Sequence, residues 1–334
     1  MMEIQIFDDF DLDKIAESGQ CFRWVKEEDG TYRIPHREHC LRIRQKDRTR
    51  YQLSCTEEEF RDVWHDYFDL GEDYRAIRGR IRREDDPFLY AACEFGAGIR
   101  ILRQDPWETL VSFIISQNKN IPAIKKSIEL LCKAAGRRPE PSGAGQKQAA
   151  ENAGQMQSAE NQENVHRAKE APDVLYRFPA PCDILALSDE TLAACRLGYR
   201  CRYVRAAAED VAQGRLDLAR LELKACRGPA LPAGQHPIRQ QALPAGQHPD
   251  RQQALSEEGT ISTLTSVCGV GIKVASCVSL FGLHHIDAFP IDVWVRRILE
   301  NEYPAGYPKE KYTPYNGIYQ QYMFYYYREK YGRK

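Results

Sequence analysis

Residues 264–299 read LTSVCGVGIKVASCVSLFGLHHIDAFPIDVWVRRIL, and this stretch predicts two helices joined by a tight hairpin. The turn Gly269-Val270-Gly271 is too narrow for side chains at both glycine positions. Its backbone N–H groups and the positive end of the second helix face outward, where together they form a seat for one phosphate. Such a seat binds a nucleic-acid backbone whatever the base sequence. We therefore assign Gly269, Val270 and Gly271 to DNA binding.

Two side chains with chemical potential follow the hairpin. Lys273 lies in the first turn of the second helix, where the helix dipole disfavours an ammonium, and a neutral lysine amine is a nucleophile. Asp292 follows Pro290 and opens the next apolar segment, so its carboxylate can return to the neighbourhood of Lys273. Each residue has an ordinary alternative, as a solvated surface lysine and as a helix N-cap. Their pairing behind a Gly-Val-Gly hairpin favours a catalytic site.

The order of hairpin, lysine, Gly/Pro-containing loop and aspartate resembles the helix-hairpin-helix superfamily of DNA glycosylases. Within it, GVGIKVASC at 269–277 and PIDVW at 290–294 are most similar to the 8-oxoguanine DNA glycosylases that carry a catalytic lysine. The resemblance implies removal of 8-oxoguanine from duplex DNA and strand cleavage by β-elimination through a Schiff base on Lys273. Asp292 would steady the cationic sugar or help to deprotonate the amine. The damaged nucleotide must first leave the stack, since its glycosidic carbon is otherwise out of reach.

The resemblance also implies a lesion pocket built from distant parts of the chain. The segment SGQCFRW at 18–24 is similar to the one with which this family's N-terminal domain reaches the lesion, and it places Gly19 there. A C-terminal helix predicted through Tyr312–Tyr331 carries two further candidates on one face, because they are four residues apart. The pocket candidates beside Gly19 are Cys277, Phe281, Gln320 and Phe324.

Contacts to the rest of the duplex are expected from three loops. The polar segment 116–120 contains the asparagine that the family directs at the base opposite the lesion, here Asn118. The family's eukaryotic pattern adds an arginine five residues later, but this position is Ala123. Only Arg200 then remains as a candidate donor to the opposite base, so the chain should discriminate weakly between opposite bases. The predicted contacts are Asn118, Tyr199 and Arg200, together with Trp294, which is expected to stack against the neighbouring nucleotide.

The sequence leaves alternatives open for the state of Lys273 and for the activity of the protein. Lys273 is either neutral through desolvation or part of an ion pair after receiving the proton of Cys277. An alkylpurine DNA glycosylase shares the architecture but works without the lysine. A non-catalytic helix-hairpin-helix protein would only hold DNA, and it would have no use for a lesion pocket.

Composition bounds the class of protein. The chain has 334 residues, 43% of them hydrophobic, with a formal net charge of -1, so nucleic-acid binding would depend on local charge rather than on a basic balance. Eleven scattered cysteines predict reduced thiols and no iron-sulfur cluster. We expect no required cofactor, although carbonyls of the hairpin could hold a structural monovalent or divalent cation. No signal peptide or membrane-length apolar run is present, and we expect a cytoplasmic monomer, nucleoid-associated if bacterial, whose partner is double-stranded DNA containing oxidised guanine.

The predicted fold class is α+β. Residues 1–72 show strand alternation at 22–25, 31–34, 41–43 and 51–53, with a hairpin turn at Asp29-Gly30 and then a helix that Thr56 should cap. They predict an N-terminal antiparallel sheet domain that supports the lesion pocket. Residues 73–334 show helical periodicity and predict a mainly α-helical helix-hairpin-helix glycosylase domain. Within it, 141–171 is poor in large apolar residues and 228–256 contains a proline-rich twelve-residue duplication, so both are predicted to be disordered insertions.

Overall fold

A computed structural model describes residues 1–135, 176–225 and 257–332, in which a sheet is followed by helices. The first part contains β1 (Met2–Gln5), α1 (Leu12–Glu17), β2 (Val25–Lys26), β3 (Tyr32–His36), β4 (His39–Gln45) and β5 (Arg50–Leu53). Helix α2 follows as three consecutive segments, Glu57–Glu59, a π-helical Phe60–Trp64 and His65–Tyr67. The predicted insertions 141–171 and 228–256 lie outside the described residues.

The five strands form one antiparallel sheet in the order β1-β5-β4-β3-β2. In β4, Leu41 and Ile43 are fully buried while Arg42 and Arg44 are exposed, because alternate side chains of a strand point to opposite faces. The turn predicted at Asp29-Gly30 is present between β2 and β3, and Gly30 adopts the positive φ of +83° that favours glycine. The antiparallel sheet predicted from alternation is therefore confirmed.

Two details of this unit differ from the prediction. Helix α1 occupies a region predicted mainly as strand; Asp11 caps it by accepting a hydrogen bond of 3.0 Å from the Lys14 amide. A six-residue helix is too short to produce a clear periodic signal. The strand predicted from Phe22 pairs only from Val25 onward, because Phe22 packs into the core of the helical part and Trp24 into the core under the sheet.

Helix α2 closes the core beneath the sheet. Its predicted N-cap is confirmed, since the Thr56 hydroxyl accepts from the Glu59 amide at 3.1 Å. Trp64 is fully buried there, and its indole N–H donates to the Glu59 carboxylate at 3.0 Å. Phe68 and Tyr51 complete the same aromatic core.

The remaining helices build the second core. They are α3 (Tyr74–Arg78), α4 (Pro87–Gly96), α5 (Pro106–Ser116), α6 (Ile121–Ala135), α7 (Pro181–Ala186), α8 (Asp189–Ala194), α9 (Cys201–Ala212), α10 (Leu218–Ala225), α11 (Glu257–Thr265), α12 (Ile272–Phe281), α13 (Val293–Glu302), α14 (Lys309–Tyr312) and α15 (Asn316–Tyr331). The single helix predicted through Tyr312–Tyr331 is wrong in its first turn, because Pro314 has no N–H to donate and separates α14 from α15. The α+β class is confirmed. Among the helices of the described ranges, none is both long and apolar enough to cross a membrane.

Buried charges join the two cores next to the end of α12. His284 Nε2 lies 3.2 Å from Asp69 Oδ2, and both side chains are almost fully buried. Burial by itself would raise the pKa of Asp69, but the neighbouring charges of His284 and Arg103 bring that pKa below its usual value. The guanidinium of Arg100, which is also buried, donates to the carbonyl of Phe68 at 3.0 Å. The sheet unit is thus held against the loop that follows the predicted catalytic helix.

Candidate active site

The hairpin between α11 and α12 is tight at its first glycine. Gly269 has φ +82°, and a Cβ atom placed on it would lie 2.2 Å from Cγ of the Tyr203 ring. The Val270 amide donates to the Val267 carbonyl at 3.0 Å, and Val270 is buried beneath the turn. The absence of a side chain at Gly269 therefore lets the hairpin lie directly on an aromatic face of α9.

The second glycine has a different role from the one predicted. Gly271 is the N-cap residue of α12, with φ -90°, and apart from its two chain neighbours no residue has a heavy atom within 4 Å of the place its Cβ would occupy. The prediction that both glycines are required by the tightness of the turn is therefore wrong for Gly271. Its open face instead suits a close approach of the DNA backbone to the first amides of α12.

Replacing each glycine by alanine should have a different effect, on folding stability at Gly269 and on DNA binding at Gly271. Gly269→Ala combines a left-handed backbone with the Tyr203 clash and should cost about 2–4 kcal/mol of folding stability. Gly271→Ala should cost no more than about 1 kcal/mol, the usual penalty of alanine at an N-cap, but should weaken DNA binding by on the order of tenfold. Thermal unfolding and fluorescence anisotropy with a labelled duplex measure the two effects. Normal affinity of Gly271→Ala would contradict a phosphate seat at this turn.

Lys273 lies on the first turn of α12 and is half-buried over an aromatic floor. Its Nζ is 5.1 Å from the centroid of the Phe113 ring, a distance at which a cation is attracted to the π face. Phe113 is stacked in turn on Phe281, with ring centroids 5.6 Å apart and planes 15° from parallel. Phe22, from the segment predicted to reach the lesion, meets the same Phe113 ring edge-on at 5.5 Å. Phe113 was missed from sequence, because it lies in an apolar run of α5 that predicts core alone.

Cys277 lies one turn beyond Lys273 and is buried. Burial raises the pKa of its thiol, Lys273 lowers it and Asp292 raises it further. These opposing effects show that Lys273 and Asp292 both lie near the sulfur. Burial alone therefore acts toward a neutral thiol and Lys273 acts toward the thiolate, and both protonation states of the pair stay predictions.

The N-cap interpretation of Asp292 is confirmed, and its catalytic role stays a prediction. It is the N-cap of α13, with Oδ1 accepting from the Val295 amide at 2.8 Å, and it remains partly accessible. Its neighbours Ile291 and Val293 are 43% and 65% exposed, and Ile272 beside Lys273 is 73% exposed. Capping fixes the orientation of the carboxylate, and one of its oxygens remains available for other interactions.

The predicted lesion pocket is partly assembled. Gly19 has φ +83°, and a Cβ on it would lie 3.2 Å from Cε1 of Phe324. The amide of Gln321 fixes the neighbouring backbone by donating to the Ser18 carbonyl at 2.5 Å. Gln320 is only 4% exposed, and its Oε1 has no hydrogen-bond partner. A buried amide oxygen without a partner is costly, which suits a group that awaits the edge of a ligand.

Three of the predicted DNA contacts, Asn118, Tyr199 and Arg200, lie together where the segment after α5 meets the turn before α9. Asn118 has a positive φ of 50°, and its Nδ2 donates to the hydroxyl of Tyr199 at 3.1 Å. Tyr199 is 47% exposed and lies edge-on to Tyr203 at 5.8 Å, which places it beside the hairpin. Arg200 is buried, and its guanidinium donates to the carbonyls of Leu197 and Gln117. In this conformation two of its nitrogens are already used, so its contact with the opposite base stays a prediction.

Trp294 lies apart from both groups. It is half-buried on α13, 6.5 Å from the ring of Tyr327, and the guanidinium carbon of Arg297 is 5.1 Å from its ring centroid. This position follows Asp292 by two residues, so a duplex bound at the candidate residues Lys273 and Asp292 would pass next to it. Its stacking on a nucleotide stays a prediction.

The hairpin carbonyls offer the site predicted for a structural cation. Val267 O accepts from the Val270 amide at 3.0 Å and Gly269 O from Gln117 Nε2 at 3.1 Å, and each oxygen retains a second lone pair. Oxygen ligands of this kind fit hard cations. Within the part of the chain that the structure describes, no cluster of three or more His, Cys, Asp or Glu could hold a metal.

Comparisons with known proteins place this arrangement in a family. Residues 4–110 match the model of the 8-oxoguanine DNA glycosylase N-terminal domain. The solved structure of MBOgg1 in complex with a low affinity DNA ligand is 34% identical, with a TM-score of 0.75 and coverage of 98% of this chain and 95% of that one. The Clostridium acetobutylicum 8-oxoguanine glycosylase/lyase, in complex with double-stranded DNA containing cytosine opposite 8-oxoguanine, is 29% identical, with a TM-score of 0.73 and coverage of 99% and 98%. The Saccharomyces cerevisiae N-glycosylase/DNA lyase is 28% identical in an alignment of 232 residues that covers 66% of this chain and only 47% of the yeast protein.

Fold and site define the helix-hairpin-helix class of DNA glycosylases. Within that class, the chain belongs to the 8-oxoguanine DNA glycosylase/lyase family. It is therefore a DNA-repair enzyme that combines an N-glycosylase activity with a lyase activity.

Proposed function

We propose that this protein excises 8-oxoguanine from duplex DNA and then cleaves the strand, with Lys273 as the nucleophile. The observation that carries the proposal is the position of Lys273 Nζ over the Phe113 face, one turn before the buried Cys277, whose thiol pKa is shifted by both Lys273 and Asp292. An amine in this position lies over an aromatic floor, beside the pocket candidates Cys277 and Phe281. The matched Clostridium structure, which contains DNA with 8-oxoguanine, supports the same substrate.

The chemistry requires one bond to be exchanged for another at the sugar. The neutral amine of Lys273 attacks C1′ while the glycosidic bond breaks, and the bonding electrons leave with the base, which takes up a proton. Positive charge develops on the sugar during this step, and the Asp292 carboxylate stabilises it electrostatically. Loss of a proton from nitrogen and opening of the sugar ring give a Schiff base, after which removal of a C2′ proton expels the 3′ phosphate.

A borohydride trap tests the proposal directly. The full chain, a duplex with one 8-oxoguanine and excess EDTA are mixed with borohydride, which reduces a Schiff base to a stable secondary amine. We expect a covalent protein–DNA band that appears only with the lesion duplex. Base release without a band would favour an alkylpurine-type mechanism, and binding without either product would identify a non-catalytic DNA-binding module. Activity in EDTA also checks the expectation that no metal cofactor is required.

We further propose that the backbone carbonyl of Gly19 distinguishes the lesion from guanine. Oxidation at C8 turns N7 from an acceptor into an N–H donor, so a fixed carbonyl gains a hydrogen bond with the lesion and meets a lone pair with guanine. The contact between Ser18 O and Gln321 supports a fixed position for this segment. The difference is about 1–3 kcal/mol, because a buried group is left unsatisfied with guanine. Single-turnover excision of 7-deaza-8-oxoguanine, which lacks this donor, should be slower by about fivefold or more, and an equal rate would contradict the assignment.

The base opposite the lesion should be read weakly. Ala123 cannot donate a hydrogen bond, and in the free protein Arg200 is occupied by two backbone carbonyls. One missing charge-assisted bond removes about 1.5–3 kcal/mol of discrimination. We expect 8-oxoguanine opposite adenine, guanine or thymine to be cut within about tenfold to a hundredfold of the cytosine pair. Single-turnover rates on the four duplexes measure this, and a cytosine preference above about a thousandfold would exclude it.

The active assembly is proposed to be one chain on one lesion. Distant segments of one chain already meet at the site, Gly19 with Phe324 and Phe22 with the Phe113 floor, which supports this proposal. Sedimentation of the DNA complex should give a one-to-one stoichiometry. Because the substrate is chromosomal DNA, we propose the compartment that contains it, which is the cytoplasm and its nucleoid if the source is bacterial.

A further inference from the structure

Gln117 stands at the junction of three loops that the proposed function assigns to DNA. It follows the last residue of α5, and its side-chain amide donates to the carbonyl of Gly269 in the hairpin at 3.1 Å. The same Nε2 donates to the Ile114 carbonyl at 3.2 Å, so its two protons bind the end of α5 to the hairpin. The nitrogen thus makes a link between elements that are 152 residues apart in sequence.

The backbone of Gln117 makes the second half of the junction. Its carbonyl accepts from Nη2 of Arg200, whose guanidinium carbon is 4.4 Å from the Tyr199 ring centroid. The next residue, Asn118, bonds to the hydroxyl of that tyrosine. Lys119 reinforces the arrangement by donating to the Arg196 carbonyl at 2.5 Å. Gln117 therefore contacts both the hairpin, which is expected to hold a phosphate, and the loops that are expected to probe the opposite base.

We propose that Gln117 is a positioning residue that couples the phosphate seat of the hairpin to the loops that probe the opposite base. This inference rests on the proposed DNA contacts of Gly271 and Asn118. A side-chain amide bound to both α5 and Gly269 fixes the distance between hairpin and probe, so occupation of one site prepares the other. Coupling between sites is a free energy and is reciprocal, so it is measurable from either side. Gln117 itself need not touch DNA for this effect.

A triple-mutant cycle on DNA affinity tests the coupling. Gly271→Ala perturbs the hairpin and Asn118→Ala perturbs the probe, and the Kd of each single and double variant is measured on a duplex with an uncleavable abasic analogue. Coupled sites deviate from additivity, and we expect a threefold or larger deviation from the product of the single effects, in the range of about twofold to a hundredfold typical of linked residues. Repeating the cycle in a Gln117→Met background, which preserves length but has no amide, should reduce the deviation to below about 1.5-fold.

Gln104→Met provides the matched background. Gln104 is also half-buried and also donates through Nε2 to a distant backbone carbonyl, that of Gln20 at 2.8 Å, but it lies outside the junction. We expect the cycle in this background to keep its deviation. Circular dichroism checks folding of every variant, and Gln117→Glu, whose carboxylate cannot donate to Gly269, replaces Gln117→Met if the latter unfolds.

The outcomes separate this inference from the proposed function. If Gly271→Ala and Asn118→Ala each leave the Kd unchanged, the DNA contacts are wrong and the inference falls with them. If each weakens binding but the effects multiply without deviation, the contacts stand and the coupling is refuted. A deviation that persists unchanged in the Gln117→Met background, or in the Gln117→Glu background where that variant replaces it, refutes the role of Gln117.

Discussion

Lys273→Gln is expected to abolish both base release and covalent trapping on an 8-oxoguanine duplex. The amide of glutamine is not a nucleophile, so the covalent route through the sugar is closed. We expect a loss of at least about 10³-fold in single-turnover excision, equivalent to roughly 4 kcal/mol of transition-state stabilisation. Binding should be nearly preserved, because the backbone amides of the hairpin do not depend on this side chain. Anisotropy with an uncleavable duplex and the borohydride trap measure the two properties separately.

Lys126→Gln is the matched control for this substitution. Lys126 is an exposed residue of α6 that forms an ion pair of 3.2 Å with Glu129, away from the Phe113 floor. Surface pairs of this kind contribute about 0–1 kcal/mol, so this variant should be trapped as efficiently as the unmodified enzyme. A reducible covalent complex formed by Lys273→Gln would show that another amine is the nucleophile.

The folds of the two units were predictable from sequence to different degrees. Alternation in β4 and the Asp-Gly turn identify the sheet, because a half-buried strand has apolar and polar residues at alternate positions of its sequence. Helix α1 has no such periodic signal. The packing of Phe22 and Trp24 into two different cores has none either, because it depends on the tertiary contacts of each side chain and not on the local sequence. The break before α15 is encoded by Pro314, whose signal is local, although the tyrosines on both sides of it favour a continuous helix.

The candidate site shows the same division. Lys273, Asp292 and the hairpin were identified because each belongs to a short local pattern. Phe113 and Gln117 act through contacts with residues far away in sequence, so neither the apolar run of α5 nor the polar segment after it could show their partners. Gly271 shows the opposite error. The Gly-Val-Gly pattern predicts that the turn geometry requires this glycine, but its φ of -90° is one that any residue can adopt.

Asp292→Asn is expected to separate catalysis from folding. Asparagine is as good an N-cap as aspartate, so it can still accept from the Val295 amide and keep α13 in place. It cannot supply the negative charge that faces the developing cation on the sugar. Removing one well-placed electrostatic group costs about 10²- to 10³-fold in rate, so base release should slow by that factor while the melting temperature changes little. Asp292→Ala should be equally slow and, in addition, lose about 1 kcal/mol of stability with the cap.

Asp73→Asn isolates the cap from the chemistry. Asp73 caps α3 with a hydrogen bond of 2.8 Å from the Ala76 amide, the same length as the bond at Asp292. Because this cap lies outside the candidate site, the variant should excise 8-oxoguanine at the unmodified rate. Thermal unfolding and single-turnover excision of the three variants distinguish the two roles of Asp292. If Asp292→Asn unfolds at a much lower temperature and its remaining folded fraction excises normally, then Asp292 is a structural cap alone, and the stabilisation of the sugar cation must come from another group.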